Sequence, residues 1–463
     1  MSHFSRRQFL KGSLLTATTA LSSCKTTGPS ILSKLWPSSK LNTALIGVGG
    51  RGQAHISHAG SENLVAICDV DKSSMDKALL KYPGVKTFTD YRKLFDQMGS
   101  KIDAVFIATP DHHHAAASML ALRNGIACYT EKPLTWSVSE ARLLAKTAAE
   151  KKIVTQMGNQ HHANQGNRRI VEWIRDGAIG DVLEVHTWTN RPVWPQGITE
   201  RPPTLPVPEG LDWDCWIGPA PFRNYHEGLH DFKWRGWFDF GSGAIGDMGC
   251  HTWDNVFWSM QPDYPSYLEM LEINGPGGKE TFAKQSKFKW VFPAKGKRPG
   301  FTAYWYSGGL KPAVPEELLN DPTRKSSGKK IELTPCGNLY IGTKGKLLAS
   351  GDGGESPRLI PEKNMQDFME ARKGKKSKNE IELSPGHHEE FLMAARGDKP
   401  WNFPKSNFAE YAGPLTEDMI LGTMLEKIGQ VGFKIECDPV NRVVKTKEAL
   451  ALLGREYRKG WSL

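Results

Sequence analysis

Long apolar runs are scarce in this chain of 463 residues. The one near the N-terminus, residues 12–21, is too short to span a bilayer, and no other segment is long enough. Cysteine is sparse as well: seven residues, none paired at C-x-x-C spacing, which argues against a zinc knuckle or a thioredoxin-type motif. Internal repeats and coiled-coil heptads are absent, so repeat architectures and rods are excluded. Basic residues are mostly scattered. The net charge is +10, but Arg6, Arg7 and Lys11 stand in an N-terminal stretch without acids, and removing those three leaves +7. The one basic cluster, residues 373–378, reads as a solvated loop, and no nucleic-acid partner is expected. With 39% hydrophobic and 24% charged residues, the composition is that of a soluble globular protein, and the length suggests two domains.

What is present begins with Gly47-Val48-Gly49-Gly50-Arg51-Gly52, a G-x-G-x-x-G turn between a short apolar strand and a helical pattern. Gly47 permits the tight turn, Gly49 lets the backbone approach a pyrophosphate, and Gly52 lets the helix pack on the strand. The helix N-terminus then offers N–H groups and positive dipole to phosphate. The next strand, residues 62–68, ends at Asp69, about twenty residues past the first glycine, where a carboxylate meets an adenosine ribose. A carboxylate there repels a 2′-phosphate, so NAD is the expected cofactor rather than NADP.

The N-terminus is expected to be processed. Ser5-Arg6-Arg7-Gln8-Phe9-Leu10-Lys11 reads as a twin-arginine export signal, and Leu21-Ser22-Ser23-Cys24 resembles a lipoprotein cleavage box. Residues 1–24 are therefore read as a signal with Cys24 lipidated, a plain signal being the alternative. Residues 25–40, rich in Ser, Pro and Thr, are a linker. Any membrane contact is expected through Cys24 alone.

From residue 41 strands and helices alternate, which predicts a parallel sheet with helices on both faces. Strands are expected near 43–48, 64–68, 85–88, 103–108, 126–130 and 153–157, with helices over 73–82, 113–124 and 137–151. Two strand ends carry chemistry, since ligands of open parallel sheets bind there. One leads into Thr109-Pro110-Asp111-His112-His113-His114. Consecutive histidines do not converge on one ion and no carboxylate–histidine ligand set accompanies them, so no metal is expected. The other ends in Glu131-Lys132-Pro133, whose lysine would sit beside the nicotinamide end of a dinucleotide. A surface ion pair of Glu131 with Lys132 is the plainer alternative.

Further on, glycines precede a helical run holding Asp247 and His251, one turn apart on one face. A carboxylate beside an imidazole orients the ring and raises its pKa, and such a pair can take a hydroxyl proton while hydride leaves the same carbon. A structural Asp–His pair is the alternative. Residues 187–259 hold eight of the fifteen tryptophans and a proline-rich first half, predicting a long ordered loop. Indole faces such as Trp237 suit sugar rings, with Arg235 reaching hydroxyls, although any single tryptophan is more simply a core residue. Alternation over residues 287–292 predicts strands, residues 337–345 a hairpin, residues 311–330 an exposed insertion, and residues 387–396 and 414–431 helices.

Taken together, T-P-x-x-x-H from Thr109 to His114, E-K-P at Glu131, and D-x-G-x-H from Asp247 to His251 resemble the Gfo/Idh/MocA oxidoreductases. The likeness runs over about residues 41–463, including Gly177-Ala178-Ile179-Gly180-Asp181-Val182 and a closing Arg455-Glu456-Tyr457-Arg458. It implies an α/β architecture: an N-terminal Rossmann domain over 41–160, then a C-terminal α/β domain over 161–463 on an open, mainly antiparallel sheet. It implies NAD held by Gly47, Gly49, Gly50, Arg51, Gly52, Asp69, Thr109, Pro110, His114, Glu131, Lys132 and Gln160. A carbohydrate would meet Lys132, Arg235, Trp237, Asp247 and His251, with Lys132 polarising the hydroxyl, His251 as acid/base and Asp247 tuning His251. A homo-oligomer is implied as well.

The implied activity is NAD-dependent oxidation of a secondary hydroxyl of a sugar or glycoside. A redox-neutral NAD-dependent glycosidase is an alternative, although such enzymes do not carry the D-x-G-x-H element. A non-catalytic sugar-binding lipoprotein is another, but it has no reason to keep Lys132, Asp247 and His251. Export adds a constraint: a periplasmic protein meets no NAD pool, so its cofactor must be held tightly and regenerated in place.

Overall fold

The computed structural model describes residues 40–275, 279–322 and 331–463. The export signal, the lipobox with Cys24 and nearly all of the linker lie outside the described residues, as does the end of the 311–330 insertion.

Six strands form the first sheet: β1 (Asn42–Ile46), β2 (Asn63–Cys68), β3 (Lys86–Phe88), β4 (Ala104–Ile107), β5 (Ala127–Thr130) and β6 (Thr155–Met157). Their order is β3-β2-β1-β4-β5-β6 and every pairing is parallel. The order reverses between β1 and β4, and a ligand crevice opens at the carboxyl ends beside such a switch point. Apolar residues predominate without alternation in the central strands β1, β2, β4 and β5, because helices cover both faces. The expected helices appear as Lys72–Lys81, Asp111–Arg123 and Val138–Lys151, the last with a full capping box between Ser137 and Glu140. Helices Tyr91–Met98 and Gln165–Arg175 were not foreseen.

The second sheet has nine strands: β7 (Val182–Trp188), β8 (Tyr267–Asn274), β9 (Gln285–Phe292), β10 (Phe301–Tyr306), β11 (Gly337–Gly342), β12 (Gly345–Ser350), β13 (Glu355–Ile360), β14 (Lys434–Asp438) and β15 (Val443–Val444). Only β7 and β10 run parallel. Its helix-covered face carries the alternate residues Ser286, Phe288, Trp290 and Phe292 of β9, with Trp290 stacked on Trp253 at 4.7 Å. The other face stays half exposed. The proline-rich stretch before Trp213 has no regular elements, as expected.

The boundary at residue 160 is not a clean cut. Helix His387–Arg396 returns to the first sheet, where Phe391 and Leu392 share a core with Phe106 and Tyr129. The final residues return too: the guanidinium of Arg92 lies 3.9 Å over Trp461.

Candidate active site

The glycine loop is as tight as its spacing implies. Gly47 has φ +82°, and a Cβ on Gly52 would stand 1.9 Å from the Gly47 carbonyl oxygen, so no side chain fits there. Helix Gly52–Ser61 starts directly behind the loop. Asp69, at the end of β2, faces back onto this loop. Its Oδ2 accepts from the amides of Val48 (2.8 Å) and Gly49 (3.2 Å), and its Oδ1 from Asp71 (2.9 Å). A carboxylate has about four acceptor positions, so capacity for a ribose hydroxyl is left. Burial pushes the Asp69 pKa up despite the three amides.

A cavity of about 510 Å³ runs from this loop along the strand ends. Gly47, Gly49, Gly50, Arg51, Asp69, Thr109, Pro110, Glu131 and Lys132 line it, and Arg235 and Asp247 close one end. The residues fit a dinucleotide. Gly47, Gly49 and Gly50 bring bare backbone to the cavity, and the buried Thr109 Oγ1, on the wall, has no partner among the described residues.

Glu131 is a hub. Its Oε1 accepts from His55 Nε2 (2.7 Å), Gln160 Nε2 (2.9 Å) and Arg51 Nε (3.1 Å). Burial opposes the charge, but His55, Arg51 and Lys132 hold the carboxyl well below the ordinary range. His55 continues the chain to His388 at 2.9 Å. The plain Glu131–Lys132 ion pair is therefore replaced by a buried network.

Lys132 turns the other way, to helix Gly243–Thr252. Its Nζ donates to Asp247 Oδ1 and to the Asp247 carbonyl, both at 2.9 Å. Arg235 Nε lies 3.4 Å from the same carboxylate. Burial disfavours the Lys132 charge, yet Asp247 lifts its pKa above the ordinary lysine range. Burial likewise opposes the Asp247 charge, and Lys132 and Arg235 keep its pKa below the usual value.

His251 departs from expectation. Asp247 and His251 do share a helix face one turn apart, but the carboxylate pairs with Lys132 and Arg235 rather than with the imidazole. Burial, then Lys132 and His161, push the His251 pKa well below 6.5, and the upward pull of Asp247 does not reverse this. The ring is neutral at physiological pH. Its Nδ1 has no partner among the described residues, and the His161 ring lies 4.9 Å away.

Three further expectations are corrected. Trp237 is 1% exposed and donates from Nε1 to the Gly228 carbonyl at 2.8 Å, so it is a core residue and not a sugar platform. His114 does not line the cleft, because its nitrogens face the carbonyls of Pro133 (2.7 Å) and Thr109 (2.8 Å). Gln160 stands behind the wall, bonded to Glu131 and to the Tyr129 hydroxyl (3.0 Å). His112 and His113 both reach the Trp216 carbonyl, at 2.9 and 2.8 Å. The histidine triplet thus fastens loops. Sequence reasoning missed cleft residues Asp111, Trp216, His230 and Trp461; only the match of the tail to Arg455-Glu456-Tyr457-Arg458 hinted that distant residues return here.

A parallel sheet in this order, with a glycine cradle and an acidic strand end, defines a dinucleotide-binding architecture. Two family models agree: "Oxidoreductase family, NAD-binding Rossmann fold" over residues 41–159 and "Oxidoreductase family, C-terminal alpha/beta domain" over 169–288. The chain belongs to the Gfo/Idh/MocA oxidoreductase family, and NAD is its cofactor. Among relatives, a "Glycosyl hydrolase family 109 protein" of Shewanella pealeana is 27% identical over 205 residues, 38% of this chain and 44% of that one. An "Inositol 2-dehydrogenase/D-chiro-inositol 3-dehydrogenase" of Lacticaseibacillus casei is 31% identical over 152 residues, 31% of this chain and 43% of that one. The match thus spans less than half the length of these curated relatives. Among solved structures, the WlbA dehydrogenase of Bordetella pertussis in complex with NADH and UDP-GlcNAcA has the same fold. It aligns at TM-score 0.56 and 16% identity over 86% of this chain and 99% of that one.

Proposed function

We propose that this protein is an NAD-dependent oxidoreductase acting on a secondary hydroxyl of a sugar or glycoside. The observation that carries the reading is the Lys132–Asp247–Arg235 ion cluster at one end of the cofactor cleft, with a buried neutral histidine on the same helix. Bound NAD supplies a hydride acceptor. Lys132 has three N–H donors, two of them on Asp247, leaving one for a substrate hydroxyl. Its fixed positive charge stabilises the alkoxide that develops as the proton leaves. His251, being neutral, can take that proton. Asp247 keeps Lys132 charged and in place, and Arg235 offers donors to neighbouring substrate oxygens.

The relatives named glycosyl hydrolase family 109 favour a second reading, a redox-neutral cycle that cleaves the glycosidic bond. In that cycle the sugar is oxidised, the glycosidic bond is lost by elimination, water adds, and the ring is reduced again. The twin-arginine signal and Cys24 support export to the periplasm with a lipid anchor, and the family resemblance supports a homo-oligomer.

Mass spectrometry of the purified protein incubated with a panel of glycosides tests the proposal. Loss of two mass units is expected from oxidation, whereas a free aglycone points to cleavage. Neither product, from protein that retains NAD, would overturn both readings.

A further inference from the structure

We propose that one side of the NAD cleft is closed by residues outside the nucleotide-binding domain, and that these residues set how slowly NAD leaves. The inference rests on the cofactor and not on the sugar reading. On the side of Asp69, Asp90 and Tyr91, the cleft is walled by Cys215, Trp216 and Phe232 from the long loop and by Trp461 from the tail.

This wall is fastened at three places. The loop joins the nucleotide domain by backbone: Lys72 donates to the Gly210 carbonyl and Asp212 to that of Val70, both at 2.9 Å. His112 and His113 hold the Trp216 carbonyl, and the loop comes so close that a Cβ on Gly218 would stand 2.0 Å from the His113 ring. The tail then laces across the loop. Arg458 Nε donates to the Gly218 carbonyl at 2.8 Å, its amide donates to Pro219 at 3.1 Å, and its guanidinium pairs with Asp214. Three residues later Trp461 lies under Arg92 and packs edge-on against Tyr91 (5.5 Å) and His113 (5.7 Å), while Arg92 Nη1 donates to the Gly460 carbonyl at 2.8 Å.

Loop and tail therefore hold each other over the cleft, and NAD departs only when that lacing opens. A barrier of this kind acts on dissociation, the rate by which related complexes mostly differ. It also adds a third side to a site whose other walls are the glycine loop and the strand ends.

The test uses purified holoprotein without any sugar. Bound NAD is chased with isotope-labelled NAD, and the label retained is followed over time. The wild type is expected to exchange slowly, and Trp461→Ala and Arg458→Gln to exchange ~10-fold faster or more, equivalent to about 1.4 kcal/mol. Melting of each cofactor-free variant controls for folding; should Trp461→Ala fail to fold, Arg458→Gln and Trp461→Phe give the reading. Exchange in the folded variants at the wild-type rate would overturn the proposal, as would a wild type that exchanges as fast as they do. Absence of sugar turnover leaves this measurement intact, so the two readings fail separately.

Discussion

Lys132 and Asp247 meet across the two domains: the ammonium group at the end of β5 donates twice to one residue of helix Gly243–Thr252, at 2.9 Å each. Both side chains are only 16% exposed, so the pair is shielded from water. Removing Asp247 leaves the Lys132 ammonium without its carboxylate, whereas removing Lys132 leaves Asp247 with Arg235 alone, at 3.4 Å.

The catalytic set should respond accordingly. His251→Ala is expected to lower kcat by ~10²–10⁴-fold, the usual contribution of general acid–base catalysis, with NAD still bound. Lys132→Ala should do comparable damage. Steady-state kinetics on the glycoside found by the panel provides the check. A near-normal kcat for His251→Ala would move the proton transfer elsewhere, His161 being the neighbouring imidazole.

Asp247→Asn tests the reassigned role of the carboxylate. Its charge raises the pKa of both Lys132 and His251, so neutral Asn lowers both. His251 must be neutral, so the acid limb of the rate profile moves to lower pH. Lys132 must be charged, so the alkaline limb moves the same way. A profile of kcat/KM against pH that does not shift down at either limb would detach Asp247 from both groups.

Asp69→Asn removes the charge while its one oxygen can still accept from the Val48 and Gly49 amides, the Asp71 bond being lost. With the charge gone, preference for NAD over NADP should relax by roughly 10–100-fold, within the reach of one partly buried like-charge contact. Binding titrations with the two cofactors measure it, and an unchanged ratio would place discrimination on another residue.

Trp237→Ala should act through the core. Truncating a buried tryptophan costs about 3–5 kcal/mol. Its melting temperature is expected to drop sharply, while KM of the remaining folded enzyme stays near normal. A raised KM at unchanged melting would restore the platform reading.

Much of the nucleotide-binding half is legible in the sequence because its signals are local. Strands and glycines follow one another within about thirty residues, and the strand ends at Asp69, Thr109 and Glu131 follow from parallel topology. The partner of Asp247 is not local: helix spacing places His251 on its face, but Lys132 arrives from 115 residues away and wins the carboxylate. The choice between platform and core for Trp237 is not legible for a related reason. Aromatic residues look alike in sequence whether they face a cleft or a core, and the Gly228 carbonyl that takes its N–H has no local signature. The same holds for the histidine triplet, whose carbonyl partners at Trp216 and Pro133 leave no trace in the spacing.

The return of helix His387–Arg396 to the first sheet bears on how the protein is made. Domains generally fold as units, N-terminal first, while the chain is being synthesised. Here the segment up to residue 160 leaves the ribosome with Phe106 and Tyr129 still lacking Phe391 and Leu392. Arg396, which pairs with the buried Glu62 carboxylate, is missing as well. The nascent first half therefore carries an exposed apolar patch that only late-made residues can cover, and excising it as a free module would make that exposure permanent.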